Sequence, residues 1–256
     1  MGNHDVGWRY ALSPDAVRLF ETKFFQEDAS LFAGSGSTQH VAPANFWWKH
    51  PLVDIVRLNS MALDPHVRPQ QLLEDTWKFV RETAASRADS DGKPLILLTH
   101  MPLYRPNDEQ CGSKRTSEGG GVTFKAPHEA YIVDDEVLSS ETSTKLLNTL
   151  QPDIVFSGHV HARCLIEHST SELDHTIPEA TISAFGWRMR PDPSFAVATF
   201  QVSSGTIVGL TLETCPLPHE HILYAIIGAT VLLEVVLLVR LVCKLLGRRG
   251  GTKMKK

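Results

Sequence analysis

The stretch Ile154-Val155-Phe156-Ser157-Gly158-His159-Val160-His161 decides how this chain is read. Its opening apolar run is too short for a helix and follows Pro152, so it predicts a buried strand. Gly158 closes the run, and histidines follow at alternate positions. If the chain stays extended there, both rings point to one face; if it turns, they splay toward two sites. A second segment repeats the plan. Leu95-Ile96-Leu97-Leu98 follows Lys93-Pro94 and ends at Thr99-His100-Met101-Pro102. Two buried strands thus each deliver histidine at a carboxyl end, the edge where open α/β sheets hold ligands.

Helices are predicted between such strands. Ser13-Pro14-Asp15 has the signature of a helix start, with an N-cap, a proline at the first position and an acid in the first turn. That helix is expected to run to about Phe25. Leu52 to Leu58 predicts a strand. Leu72, Leu73, Trp77 and Val80 have helical spacing, so a helix is expected from Gln70 to about Ala85. Arg105 to about Glu136 is polar, contains Gly119-Gly120-Gly121 and predicts a long site-shaping loop. Ser139 or Ser140 can cap a helix through Leu150, stopped at Pro152. Phe195–Val202 and Thr206–Leu212 alternate around Ser203-Ser204-Gly205 and predict a hairpin. Helices alternating with apolar strands define an α/β fold, layered as α+β.

The chain has 256 residues and a formal net charge of -4. That balance argues against a nucleic-acid binder, which would carry a basic stripe. Cys111, Cys164, Cys215 and Cys243 form no CxxC pair, so a zinc ribbon or thioredoxin-like motif is not expected. Cys243 lies in an apolar segment and reads as a lone thiol. Two of the other three could pair in an oxidising compartment, and the sequence leaves the choice open.

Residues 222–243 are nearly all apolar and long enough to span a bilayer. Glu234 is the carboxylate inside that run. Arg240 and Lys244 can snorkel to an interface. The basic tail, 244–256, places the C-terminus in the cytosol by the positive-inside rule, with the domain at 1–215 on the lumenal or extracellular side. That orientation calls for a signal or an earlier span upstream of the sequence given.

Asn3-His4-Asp5 adds an amide oxygen, an imidazole and a carboxylate to the strand-end histidines. Such mixed oxygen and nitrogen donors suit Mn, Fe or Zn. The order Gly2-Asn3-His4-Asp5, then His100 before Met101-Pro102, then Gly158-His159-Val160-His161 resembles the calcineurin-like metallophosphoesterase family. The resemblance implies the C-terminal part of a four-layer αββα sandwich. It also implies two divalent metal ions, Mn foremost, with Fe or Zn as alternatives. Asn3, His100 and His159 would hold one metal and His161 the other. His4 would contact the phosphate and protonate the leaving oxygen, with Asp5 orienting His4. The implied chemistry is two-metal hydrolysis of a phosphoric ester.

Further segments are similar to the branch of that family that remodels GPI anchors. They include Leu98-Thr99-His100-Met101-Pro102-Leu103-Tyr104-Arg105, Phe124-Lys125 and Lys145-Leu146-Leu147. Phe185-Gly186-Trp187-Arg188-Met189-Arg190, Asp192-Pro193-Ser194-Phe195 and the C-terminal span belong with them. This likeness implies a Mn-dependent phosphodiesterase that removes ethanolamine phosphate from GPI glycans and aids export from the endoplasmic reticulum. Its partners would be the GPI-anchor glycan or GPI-anchored proteins. Its place would be a single-pass membrane protein of the ER, ER exit sites or Golgi, with the domain lumenal. Trp187 and Arg188 would either line the substrate pocket or be a core tryptophan beside a surface arginine.

The family pattern also has an earlier Asp-x-His and a Gly-Asp, which supply further ligands and the carboxylate bridging both metals. Neither occurs in order here, so the chain is expected to be an N-terminally truncated piece with an incomplete metal site. The alternatives are a non-catalytic membrane protein binding GPI-anchored cargo or a partner, and a phosphoesterase acting on another phosphodiester.

Overall fold

The computed structural model describes residues 2–7, 12–24, 38–42, 44–88, 93–115, 125–187, 189–190, 192–203 and 206–250. The chain enters through a single turn, α1 (Asn3–Val6), closed by Gly7 at φ 91°. That left-handed conformation suits glycine and would strain a residue with a Cβ. Val6 is fully buried, and its carbonyl accepts the Ser13 N–H at 2.8 Å. α2 (Pro14–Phe24) follows. Its start is the one the sequence predicts, since Ser13 Oγ accepts the Ala16 N–H at 3.2 Å.

Next come β1 (Thr38–Ala42), β2 (Asn45–Lys49) and β3 (Asp54–Arg57). α3 (Gln70–Ala88) leads to β4 (Leu95–Leu98), and α4 (Ser140–Leu150) to β5 (Ile154–Ser157). Both ends of α4 have a clear cause. Ser139 accepts the Thr142 N–H, and Gln151 at φ 47° donates its N–H to the Leu147 carbonyl, with Pro152 barring continuation. β6 (Cys164–His168), β7 (Ile177–Thr181), β8 (Ser194–Ser203), β9 (Thr206–Pro216) and α5 (Glu220–Gly250) complete the chain.

Seven strands form one sheet in the order β1-β2-β3-β4-β5-β7-β6. Its centre, β3-β4-β5-β7, is parallel, and both ends turn antiparallel. The registers Ile55↔Ile96↔Ile154 and Val56↔Leu97↔Val155 sort the side chains by face. Val56, Leu95, Leu97 and Val155 point into the main core, where Phe79 and Val80 of α3 and Leu146, Leu147 and Leu150 of α4 cover them. Val53, Ile96 and Ile154 form a second, smaller cluster on the other face. Ile55, Leu98, Phe156 and, from the β8–β9 hairpin, Phe200 pack there half-buried. The result is a mixed sheet with helices on one face and a hairpin on the other, an α/β sandwich.

The strands β6 and β7 do not appear in the sequence reading, and neither does the β1–β2 hairpin. In β7, Pro178 and Glu179 break the apolar pattern, yet Glu179 is fully buried. In the polar segment after Arg105 a 3-10 helix spans Glu109–Lys114 and the rest of the described residues are mostly irregular, while 116–124, with Gly119-Gly120-Gly121, lie outside the described residues. Cys111 and Cys164 are joined in a disulfide that ties this segment to β6, settling the pairing the sequence left open. Helix α5 is longer at both ends than the predicted 222–243, with Glu220–Leu246 long and apolar enough to cross a membrane. Of the predicted basic tail, residues 251–256 lie outside the described residues.

Candidate metal centre

The parallel strands bring His100 and the histidine pair to one edge. Thr99 N–H donates to the Phe156 carbonyl at 2.9 Å, and Gly158 N–H to the His100 carbonyl at 3.0 Å. The two strand ends are thus laced together beyond the sheet. Ser60 fixes the turn after β4, its Oγ accepting the N–H groups of His100 and Met101, each at 2.9 Å. After Gly158 the chain turns. His159 and His161 both take left-handed backbone, at φ 65° and 59°. Non-glycine residues hold such conformations rarely, at a cost on the order of 1 kcal/mol or more, and cluster at functional sites when they do. Of the two geometries the sequence allowed, the turned one is found.

α1 brings Asn3 to the same edge. Asn3 Oδ1 and His159 Nδ1 each lie 3.1 Å from His100 Nε2. Donors at about 2.1 Å from one ion and about 90° apart stand roughly 3.0 Å from each other. Both distances from His100 Nε2 therefore fit atoms that share one coordination shell. The tautomer fits as well. His159 Nε2 sits 2.8 Å from the Asp135 carbonyl, which can only accept, so this nitrogen carries the proton and Nδ1 keeps its lone pair. A ligating histidine is commonly anchored by a carbonyl on its other nitrogen in this way. Gly2 completes the packing. A Cβ there would lie 2.6 Å from His100 Cε1, so the ring fits only against a glycine.

Burial, followed by the neighbouring imidazoles of His159, His161 and His4, pushes His100 down to about 3. Burial also lowers His159, outweighing the Asp135 carbonyl and the nearby acids. His161 is lowered by burial, by His159 and His4, and by Arg190. At neutral pH these rings are uncharged, the state in which imidazole offers a lone pair to a metal.

Asn3, His100 and His159 open into a cleft of about 300 Å³ that His4, His161, Arg115, Lys125, Tyr131 and Glu136 also line. The cleft wall is braced from within. Arg115 Nε donates to Asp108 Oδ2 at 2.9 Å, and Tyr131 donates its hydroxyl to the same oxygen at 2.7 Å. Arg105, itself buried, donates to Asp108 Oδ1 at 2.9 Å and to Thr181 Oγ1 at 3.0 Å. Glu179 accepts from Leu103 N–H at 3.0 Å and Ser157 Oγ at 2.5 Å, and His168 Nε2 lies 2.8 Å from it. Burial alone would raise Glu179, but His168, Arg105 and Ser157 outweigh it and hold the carboxyl below its ordinary value.

Each residue the sequence singled out can now be located. Asn3, His100 and His159 converge. His4 and His161 line the same cleft, while His161 stands outside the close contact between the other two histidines. Among the described residues, the three-residue cluster of histidine, cysteine or acid side chains within 4.8 Å is Asp108–Cys111–Cys164, and its cysteines are spent in the disulfide. Asp5 is placed otherwise than expected. Its Oδ2 accepts the Gly2 N–H at 2.8 Å and so closes the turn of α1. Adjacent helical residues do not face one another, which keeps Asp5 from bracing His4. Trp187 lies outside the cleft lining, with its indole N–H donating to the Pro218 carbonyl at 2.8 Å. Arg188 lies outside the described residues. The Asp135 carbonyl was missed because it is a backbone group, and Ser60 because its hydroxyl acts on the backbone N–H groups of residues 40 and 41 positions away. Arg115, Lys125 and Tyr131 come from the loop expected to shape the site, where no local pattern marks which side chains face the cleft.

Residues 1–163 match the family model of the calcineurin-like phosphoesterases. The chain belongs to this family of metal-dependent phosphoric ester hydrolases, and membership implies divalent metal ions. It is similar to Metallophosphoesterase 1 of Xenopus laevis, at 32% identity over 252 residues, 91% of this chain and 56% of the relative. Metallophosphoesterase 1 of Gallus gallus is 32% identical over 256 residues, 93% of this chain and 56% of the relative. Metallophosphoesterase 1 of Pongo abelii is 31% identical over 241 residues, 88% and 52%. The chain spans about half the length of the curated relatives it matches.

Proposed function

We propose that this chain carries the histidine-rich half of a metal-dependent phosphodiesterase site of the secretory pathway, acting on ethanolamine phosphate of GPI-anchor glycans. The convergence of Asn3 Oδ1 and His159 Nδ1 on His100 Nε2, each at 3.1 Å, carries this reading. Asn3, His100 and His159 would hold one divalent metal, Mn by resemblance, with His161 directed to a second. When bound, such ions supply charge neutralisation at the phosphate and acidify water. His4, which lines the cleft, would give a proton to the departing oxygen. Tyr131, Arg115 and Lys125 also line the cleft, Arg115 paired with Asp108 at 2.9 Å and Lys125 with Glu136 at 2.6 Å. The Cys111–Cys164 disulfide favours an oxidising compartment. α5 favours a single-pass anchor, and the basic residues after it favour a cytosolic C-terminus.

Titration of the full chain with Mn tests the site. His100→Ala and His159→Ala should each abolish binding, and binding retained by either variant removes that residue from the ligand set. Incubation with Mn and labelled GPI glycans tests the substrate. The expected product is free ethanolamine phosphate, and Mn binding without its release rejects the GPI assignment.

A further inference from the structure

At the foot of α5 three aromatic side chains lie in the open. Phe185 is 68% exposed, and Trp187 and Phe195 are each 38% exposed. The rings of Phe185 and Phe195 meet edge to face with centroids 6.2 Å apart. The indole N–H of Trp187 is satisfied by the Pro218 carbonyl, just before α5 begins at Glu220. Leu217 N–H donates to the Pro193 carbonyl at 2.9 Å, tying the same loop to the helix base a second time. Within α5, the exposed Tyr224 donates its hydroxyl to Glu220 at 2.9 Å.

Length fixes the height of this cluster. The apolar stretch Glu220–Leu246 has 27 residues. At about 1.5 Å per residue it is about 40 Å long, against a hydrocarbon core of about 30 Å and about 40–45 Å with headgroups. The end turns therefore fall in the headgroup layers, and Pro218 with its bound Trp187 stands at the upper one. Aromatic rings with a satisfied polar tip are the side chains that membrane–water interfaces favour.

We propose that Phe185, Trp187 and Phe195 seat the folded domain on the surface of the bilayer that α5 enters. The inference rests on reading α5 as a membrane span. The partner is the lipid interface itself, since among the described residues the patch is aromatic and is bonded to the segment that enters the membrane. The seat also reaches the cleft. Ser183 Oγ, on the same loop, donates to the His161 carbonyl at 3.2 Å. The cleft is thereby held at a set position over the bilayer, where a phosphodiester carried on a lipid anchor would be presented.

The test uses the full chain in phosphatidylcholine proteoliposomes, with and without bromine on acyl carbons near the headgroup. Brominated lipid should quench part of the tryptophan emission, and Trp187→Phe should lose that part. Equal quenching in both proteins, or none in either, overturns the aromatic seat when the chain resists alkaline extraction. Release of the chain by alkaline carbonate overturns the span and the seat together.

Discussion

The two faces of the central sheet hold the same strands by different means. On the helical side, Val56, Leu95, Leu97 and Val155 are fully buried under α3 and α4. On the other side, Ile55, Leu98 and Phe156 are half-buried around Val53, Ile96 and Ile154, with Phe200 of the hairpin against them. The strands that carry His100 and His159 are therefore anchored mainly from one side. Glu179 belongs to the anchored side, being in register with Val155. The contrast teaches that the histidine-bearing edge depends on the helical core and its buried polar hub more than on the hairpin.

The largest effect is expected at that hub. Glu179→Gln removes the charge facing Arg105 and His168, and breaking such a buried pair costs about 3–5 kcal/mol. The sign of its pH dependence follows from its lowered value. The contribution is complete above the unfolded carboxyl value, about 4.3, and is lost as pH falls through the lower folded value. Acid unfolding followed by circular dichroism should therefore be less steep in Glu179→Gln. An unchanged acid limb would show that the hub does not anchor this face. Leu97→Ala and Leu98→Ala come next, adjacent residues on opposite faces. Urea unfolding should show a loss of about 2–5 kcal/mol for Leu97→Ala and about 1–2 kcal/mol for Leu98→Ala. Equal losses would break the comparison. The smallest change in stability is expected for Gly2→Ala, which touches the site rather than the core. Its Cβ would press on the His100 ring, so Mn affinity should fall by roughly 10–100-fold with the unfolding midpoint nearly unmoved. Unaltered affinity would detach Gly2 from the centre.

Much of this architecture can be read from residues alone. β4 and the helix α4 emerge where local propensity, capping and burial all agree. β7 is illegible because its proline and glutamate look like loop residues, and only the pairing with β5 and the bonds to Ser157, Leu103 and His168 make the glutamate a core residue. At the site, Asn3, His100 and His159 could be named because the family resemblance groups them, and the structure brings them together. Asp135 could not, since its contribution is a carbonyl every residue possesses. The resemblance assigned Asp5 to His4, whereas in the structure its carboxylate accepts from Gly2 N–H.

The left-handed backbone at His159 and His161 has one further consequence. Glycine at either position would relax the chain and is the substitution that folding alone would favour. It would also delete the ring that gives the turn its use. Stability and chemistry thus pull these positions in opposite directions, and the segment is a standing trade between them.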